Sequence, residues 1–366
     1  MKLTGFELRR IALPLVAPFR TSFGTETTRD ALLVRAVGAD AEGWGECVAM
    51  SAPLYSSEYV DAAIDVLRRY FVPAMTGVER GTQVAPALAK FHGHRMAKAA
   101  LETAVLDAEL RTEGRTLARE LGAVHDRVPC GVSVGIMDSI DELLTAVGGY
   151  LDEGYLRIKL KIQPGWDIAP VAAVRERYGD DVLLQVDANT AYAVSDARHL
   201  AQLDAFDLLL IEQPLDEEDI LGHAELARQV ETPICLDESI TSARAAAAAI
   251  SLGACSIVNV KPGRVGGYLE SRRIHDVCVA NGIPVWAGGM LETGLGRAAN
   301  VALAALPGFT LPGDTSGSSR YYRTDITAPF TLDAGHLAVP TGPGIGVEPL
   351  PDELAAVTVS TEWLTL

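Results

Sequence analysis

From about residue 130 the chain repeats one pattern: a short run of β-branched and apolar residues, a polar turn, then a stretch whose apolar positions fall three and four apart. The runs are PCGVSVGI, YLRIKLKI, VLLQVDAN, LLLIEQP, PICLDES, SIVNVKP, PVWAGGM and FTLPGD, and segments such as SIDELLTAVGGYLDEG, ARAAAAAISLG and YLESRRIHDVCVANG separate them. Strand alternating with helix at this spacing predicts parallel βαβ units, and eight of them in about two hundred residues predict an α/β fold closed as a (β/α)8 barrel over 126–320. An open doubly wound sheet is the structural rival. Residues 1–125 differ. Strand-like FELRRIALPL, a Pro/Gly loop and ALLVRAVGADAEGWGECVAM precede a helical stretch with an apolar stripe through Met96, Leu101, Val105, Leu106 and Leu110, so a separate α+β domain is expected there. Residues 321–366 return to short β-like pieces and are expected to complete that first domain.

Composition narrows the function classes. The chain has 366 residues, 48% hydrophobic and 22% charged, which suits roughly two globular domains. With 31 Lys+Arg against 48 Asp+Glu, the charge of −17 argues against an extended basic footprint for nucleic acid or an anionic membrane. Glu7, Arg9 and Arg10 interrupt any apolar leader, and the longest uncharged stretch, between Arg244 and Lys261, is too short to span a bilayer. Cys47, Cys130, Cys235, Cys255 and Cys278 are odd in number and sit among apolar neighbours, which predicts reduced, buried thiols and a cytoplasmic protein.

The candidate chemistry lies where the strands end. Lys159 and Lys161 end the second strand, Asp187 the third, Glu212 the fourth, Asp237 the fifth and Lys261 the sixth, in steps of 26, 25, 25 and 24 residues from Lys161. One charge per βα unit thus reaches the rim where barrel enzymes keep their active sites. Three carboxylates converging there need a cation. Oxygen-only ligation by Asp187, Glu212 and Asp237 suits Mg2+, with Mn2+ or another divalent ion as a substitute. The second and sixth strands of an eight-stranded barrel face each other, so a substrate carboxylate on the cation places its α-carbon between Lys161 and Lys261. Proton abstraction there is helped by the charge the cation balances. Lys159 supplies a like charge expected to lower the pKa of Lys161, and Arg264 is expected to act on Lys261 in the same sense.

Other signals are weaker. GVSVG around Ser133 matches a nucleophile elbow, but the clearest βα repeats follow it rather than precede it. GLGRAA is a lone glycine pattern with no mononucleotide fold starting there, and His92 with His94 reads as a surface pair.

IKLK, LQVDAN, IEQP, LDES and NVKPGRVGG resemble the enolase superfamily, in its muconate-lactonizing-enzyme-like subgroup with a lysine on each side of the metal. APFRTSFGT, MSAPLYSSEY, CGVSVGI and WAGGMLETGLGRAAN further resemble the o-succinylbenzoate synthase/N-succinylamino acid racemase family, also called N-acylamino acid racemases. The resemblance implies a modified barrel under an N-terminal capping domain. It implies Lys161 and Lys261 as the acid/base pair, Asp187, Glu212 and Asp237 as metal ligands, and Lys159 and Asn189 as their support, and it associates Arg264 with racemase activity. It places Phe19, Ser22, Phe23, Met50 and Tyr55 on two loops that close over the mouth, and Ser133, Asn259, Gly289, Met290 and Leu291 along the substrate side. The implied reactions are racemisation of N-acyl or N-succinyl amino acids and the dehydration that yields o-succinylbenzoate for menaquinone synthesis. A dipeptide epimerase or cycloisomerase of the same superfamily and a non-catalytic metal-stabilised binding protein are the alternatives. The implied partners are a small carboxylate substrate and further copies of the chain, in a homo-oligomer such as an octamer.

Overall fold

Alternating polar and apolar residues near the amino terminus become three antiparallel strands in the computed structural model, which describes residues 1–366. These are β1 (Leu3–Thr21), β2 (Gly24–Gly38) and β3 (Glu42–Cys47). The β1–β2 ladder is interrupted between Pro14 and Phe19, where Pro14 and Pro18 have no N–H to give, and resumes in an arm ending at the Thr21–Gly24 turn. That arm reaches the barrel: Ile136 N donates to Arg20 O at 3.0 Å and Ser22 Oγ to Asn189 O at 3.3 Å. The helix Arg95–Glu113 lies across the sheet with Met96, Leu101, Val105, Leu106 and Leu110 buried. Glycine permits this closeness, since a Cβ on Gly43 or Gly45 would stand 2.2 Å from Ala108 N or 2.0 Å from Ala100 O.

A short strand β4 (Arg127–Pro129) leads into the barrel strands β5 (Gly131–Val134), β6 (Arg157–Lys161), β7 (Leu183–Asp187), β8 (Ile211–Glu212), β9 (Ile234–Leu236), β10 (Ile257–Val260) and β11 (Val285–Ala287). They form one parallel sheet in sequence order, with helices between them. FTLPGD is not a regular eighth strand, which corrects the expectation of eight. Phe309 and Gly313 make only isolated parallel bridges, to Val285 and Cys130, because Pro312 cannot donate to a ladder. This extended segment still stands between the two sheet edges and closes the curl.

Residues 321–366 do not return to the first domain as one piece. The strand β12 (His336–Ala338) pairs antiparallel with β4, covering backbone groups that would otherwise be an open edge. Only β13 (Thr358–Thr365) joins the first sheet, beside β1. One apolar core fills the barrel and its helices, and a second lies between the N-terminal sheet and its helices. All five cysteines are free and buried, and no helix is long and apolar enough to cross a membrane.

Candidate active site

Parallel register brings the strand-end charges together. Lys161 stands beside Asp187, and Asp187 beside Glu212, while Asp237 lies two residues beyond Cys235, the partner of Glu212. Lys159 and Lys161 share a strand face, and β10 delivers Lys261 from the far side of the three acidic strands. All are buried.

Each carboxylate is closed by side-chain cations. Lys161 Nζ donates to Asp187 Oδ2 and to Asn189 Oδ1, both at 2.6 Å. Lys159 Nζ reaches Asp314 Oδ2 at 2.6 Å, Glu212 Oε2 at 3.2 Å and Asp187 Oδ2 at 3.4 Å. Asn259 Nδ2 donates to Glu212 Oε1 at 2.6 Å. Lys261 Nζ donates to Asp237 Oδ2 at 2.7 Å, and Tyr55, whose hydroxyl donates to Asp237 Oδ1 at 3.1 Å, lays its ring under the ammonium. Arg264 pairs with Asp237 and donates to the carbonyls of Ile240 and Asn259.

Electrostatics follow from these partners. Burial disfavours the Lys261 ammonium, but Tyr55 and the carboxylates of Glu238, Glu212 and Asp187 outweigh it and hold the group above its ordinary value. Burial likewise opposes the Asp187 carboxylate, and Lys161, Lys159 and Lys261 hold it below the usual range. Two expectations need correction. Lys159 is not an uncompensated charge beside Lys161, because Asp314, Glu212 and Asp187 neutralise it and raise its own proton affinity against burial. Arg264 spends its guanidinium on Asp237 and two carbonyls, so it does not lower Lys261.

No three His, Cys, Asp or Glu side chains converge closely enough to hold a metal ion in this arrangement, in which the rim carboxylates pair with lysine and arginine side chains instead. The donor chemistry nonetheless fits a hard divalent ion. Asp187, Glu212 and Asp237 offer only oxygens, at zero exposure, on three consecutive strands, and Glu238 Oε2 beside them is buried without a partner. Burial first, and the neighbouring Asp187 and Glu212 charges, push Glu238 up to about 7 against Lys261 and Asn189.

Above this rim opens a cavity of about 820 Å³, its mouth included. Lys159, Lys161, Asn189 and Lys261 form its floor, and Phe19, Phe23, Met50, Tyr55, Ser133, Gly289, Met290 and Leu291 its walls. Ser22 is not a wall residue and instead donates to the Asn189 carbonyl. Asn259 lies beneath the floor and orients Glu212. Several lining residues escaped the sequence reading. Asp314 ends the FTLPGD run as the other acids end theirs, so the strand-end rule reaches it, whereas Glu26 and Arg29 sit in a strand of the first domain with no local mark of a site.

Comparison with known proteins fits this geometry. Residues 142–353 match the family described as Enolase C-terminal domain-like, and residues 6–122 the Mandelate racemase / muconate lactonizing enzyme, N-terminal domain. The chain is 71% identical over 366 residues, all of both chains, to an N-succinylamino acid racemase from Amycolatopsis sp.. It is 45% identical over 345 residues to an o-succinylbenzoate synthase from Bacillus subtilis, covering 93% of this chain and 92% of that one. Its fold is similar to a solved enolase-superfamily member from Listeria innocua, with a TM-score of 0.95 and 40% identity over 100% of this chain and 99% of that chain.

Proposed function

Because the chain belongs to the enolase superfamily, whose members use a divalent metal, we propose that it removes the α-proton of a carboxylate substrate as an N-succinylamino acid racemase, with o-succinylbenzoate synthesis as a second reaction of the same site. The observation that carries the reading is the pair Lys161 and Lys261, which come from strands on opposite sides of the acidic ones and face one cavity.

Asp187, Glu212 and Asp237 would hold the ion, Mg2+ or Mn2+ in its place. When bound, it supplies the positive charge that balances charge developing on the substrate carboxylate as the α-proton leaves. One lysine, neutral at Nζ, takes the proton from one face of the α-carbon; the other, as ammonium, returns a proton to the opposite face and inverts the centre. In the synthase reaction Lys161 takes the α-proton and returns it to the departing hydroxyl, which leaves as water from the same face, while Lys261 stays cationic. Asn189 orients Lys161, Asn259 and Lys159 orient Glu212, and Arg264 with Tyr55 orients Asp237. Phe19, Phe23, Met50, Met290 and Leu291 enclose the reacting carbon and exclude water.

Proton NMR in D2O with Mg2+ and N-succinyl-L-phenylalanine tests this directly. Loss of the α-proton signal together with loss of optical rotation is expected, and chelation of the metal stops both. An α-proton that persists while the metal is present sinks the racemase reading.

A further inference from the structure

One guanidinium in the cavity wall has donors with no acceptor. Arg29, on β2, is 1% exposed and lines the cavity, yet its Nε and Nη2 have no hydrogen-bond partner. Other buried cations are engaged. Arg157 donates to Asp314 and the Pro312 carbonyl, Arg175 to carbonyls of Phe206, Val182 and Asp207, and the three floor lysines to carboxylates. The acids whose fields reach Arg29 do not close it. Glu46 has its oxygens taken by Thr293 and Gly296, and Glu26 Oε2 is itself without a partner. A guanidinium desolvated without a partner is strongly unfavourable, so its retention calls for an anion that arrives from the cavity.

We infer that Arg29 receives a second, distal carboxylate on the substrate's acyl group, and so selects N-(carboxyacyl) amino acids, succinyl among them, over neutral N-acyl ones. The inference rests on the racemase reading for the position of the reacting carboxylate at the barrel floor. β2 lines the same cavity with Gly24, Glu26 and Arg29, so an acyl arm on a substrate held at the floor shares one enclosure with Arg29. The planar fork of an arginine matches a carboxylate with two parallel donors. Arg29 pairs in register with Leu13 on β1, so the anchor stands within a sheet ladder. Glu26, three residues earlier, opposes a second carboxylate when ionised, and burial first, with Asp30, raises its pKa against the pull of Arg29.

The test compares N-succinyl with N-butanoyl amino acids, which share chain length and differ in the charge, on the Mg2+-loaded protein. In Arg29→Met the ratio of kcat/KM for N-succinyl- over N-butanoyl-L-phenylalanine is expected to fall roughly ten- to hundredfold, chiefly through KM. Arg29→Lys restores part of the ratio, and Glu26→Gln raises it. An unchanged ratio, with both substrates lost alike and a lowered melting temperature, makes Arg29 a structural residue and overturns the inference. Calorimetric binding of N-succinylglycine and N-butanoylglycine separates this from the reading beneath it. Equal affinities in the wild type overturn the anchor whatever the turnover. Tight, Arg29-dependent binding of N-succinylglycine, in a protein that moves no α-proton, keeps the anchor and overturns the racemase.

Discussion

Two groups of carboxylates in this chain are both buried and differently held. Those of the N-terminal domain, apart from Glu7 with its Arg9 and Arg35 partners, are satisfied mainly by peptide N–H groups. Glu58 accepts from Arg95 and Met96 at 2.6 and 2.9 Å, Glu46 from Thr293 and Gly296 at 3.1 Å, Glu102 from Leu269 at 3.1 Å, and Asp107 from Trp44 and Ile345 at 2.8 and 2.7 Å. Three of them sit at the amino-terminal ends of helices Arg95–Glu113, Gly294–Ala304 and Tyr268–Ala280, where free N–H groups and the helix dipole favour an anion. The rim carboxylates Asp187, Glu212 and Asp237 are held chiefly by lysine, arginine and amide side chains. A peptide N–H is fixed in place by the backbone, whereas a lysine amine sits on a flexible stem and can change both its partner and its proton during a reaction. The partner therefore separates the acids that fasten the fold, two of them across the domain boundary, from those that can change hands during a reaction.

The hardest test of that contrast removes the movable partners. Lys161→Ala and Lys261→Ala are each expected to lower racemisation by roughly 10²–10⁴-fold or more, with far-UV circular dichroism unchanged. Full racemase activity in either single variant breaks the two-base assignment. The same variants sharpen the account of charge. Lys161→Ala strips Asp187 of its closest cation, so its melting temperature without metal falls, and Mg2+ is expected to restore it by more than it raises the wild type. Equal metal shifts in both proteins mean that Asp187 does not depend on Lys161 for its charge balance.

Removing a fixed partner has a smaller effect of another kind. Glu46→Ala leaves Thr293 N, Thr293 Oγ1 and Gly296 N without their acceptor where the first domain meets the barrel. A loss of roughly 2–4 kcal/mol in urea unfolding is expected, with kcat per folded molecule changing less than in the lysine variants. A collapse of kcat without loss of stability would move Glu46 into the reacting group.

The two groups also differ in how far the sequence reveals them. The rim is legible because charges at the ends of apolar runs recur at a nearly constant step, and a parallel barrel turns that step into adjacency. The stripe on the helix Arg95–Glu113 is legible for the same reason, as a period. Glu46 and Glu102 leave no such trace, because the amides they hold lie far along the chain and belong to any sequence. The eighth strand misleads because FTLPGD has the composition of a strand while Pro312 withholds the N–H a ladder needs. Lys159 misleads because strand spacing places it beside Lys161 but says nothing of Asp314, which neutralises it. Arg29 is illegible for a further reason: its distinction is the lack of a partner, which only packing defines.

The least disruptive test uses pH. Burial pushes Glu102 up to about 7 against its peptide N–H partners, where its ordinary value is 4.5. Between these values the folded chain holds a proton that the unfolded chain has released, so this group's contribution is fully present below about 4.5 and is lost as pH rises through about 7. Glu102→Gln keeps an acceptor for Leu269 and Tyr268 but cannot ionise. The variant is therefore expected to gain stability relative to the wild type as urea unfolding is repeated from pH 5 to pH 8. A rim carboxylate held low by lysines, as Asp187 is, runs the other way and loses stability as pH falls. A wild-type-to-variant difference that stays flat with pH shows that Glu102 remains ionised throughout; its peptide partners would then hold a charge as firmly as the rim lysines do, and mobility alone would distinguish the two groups.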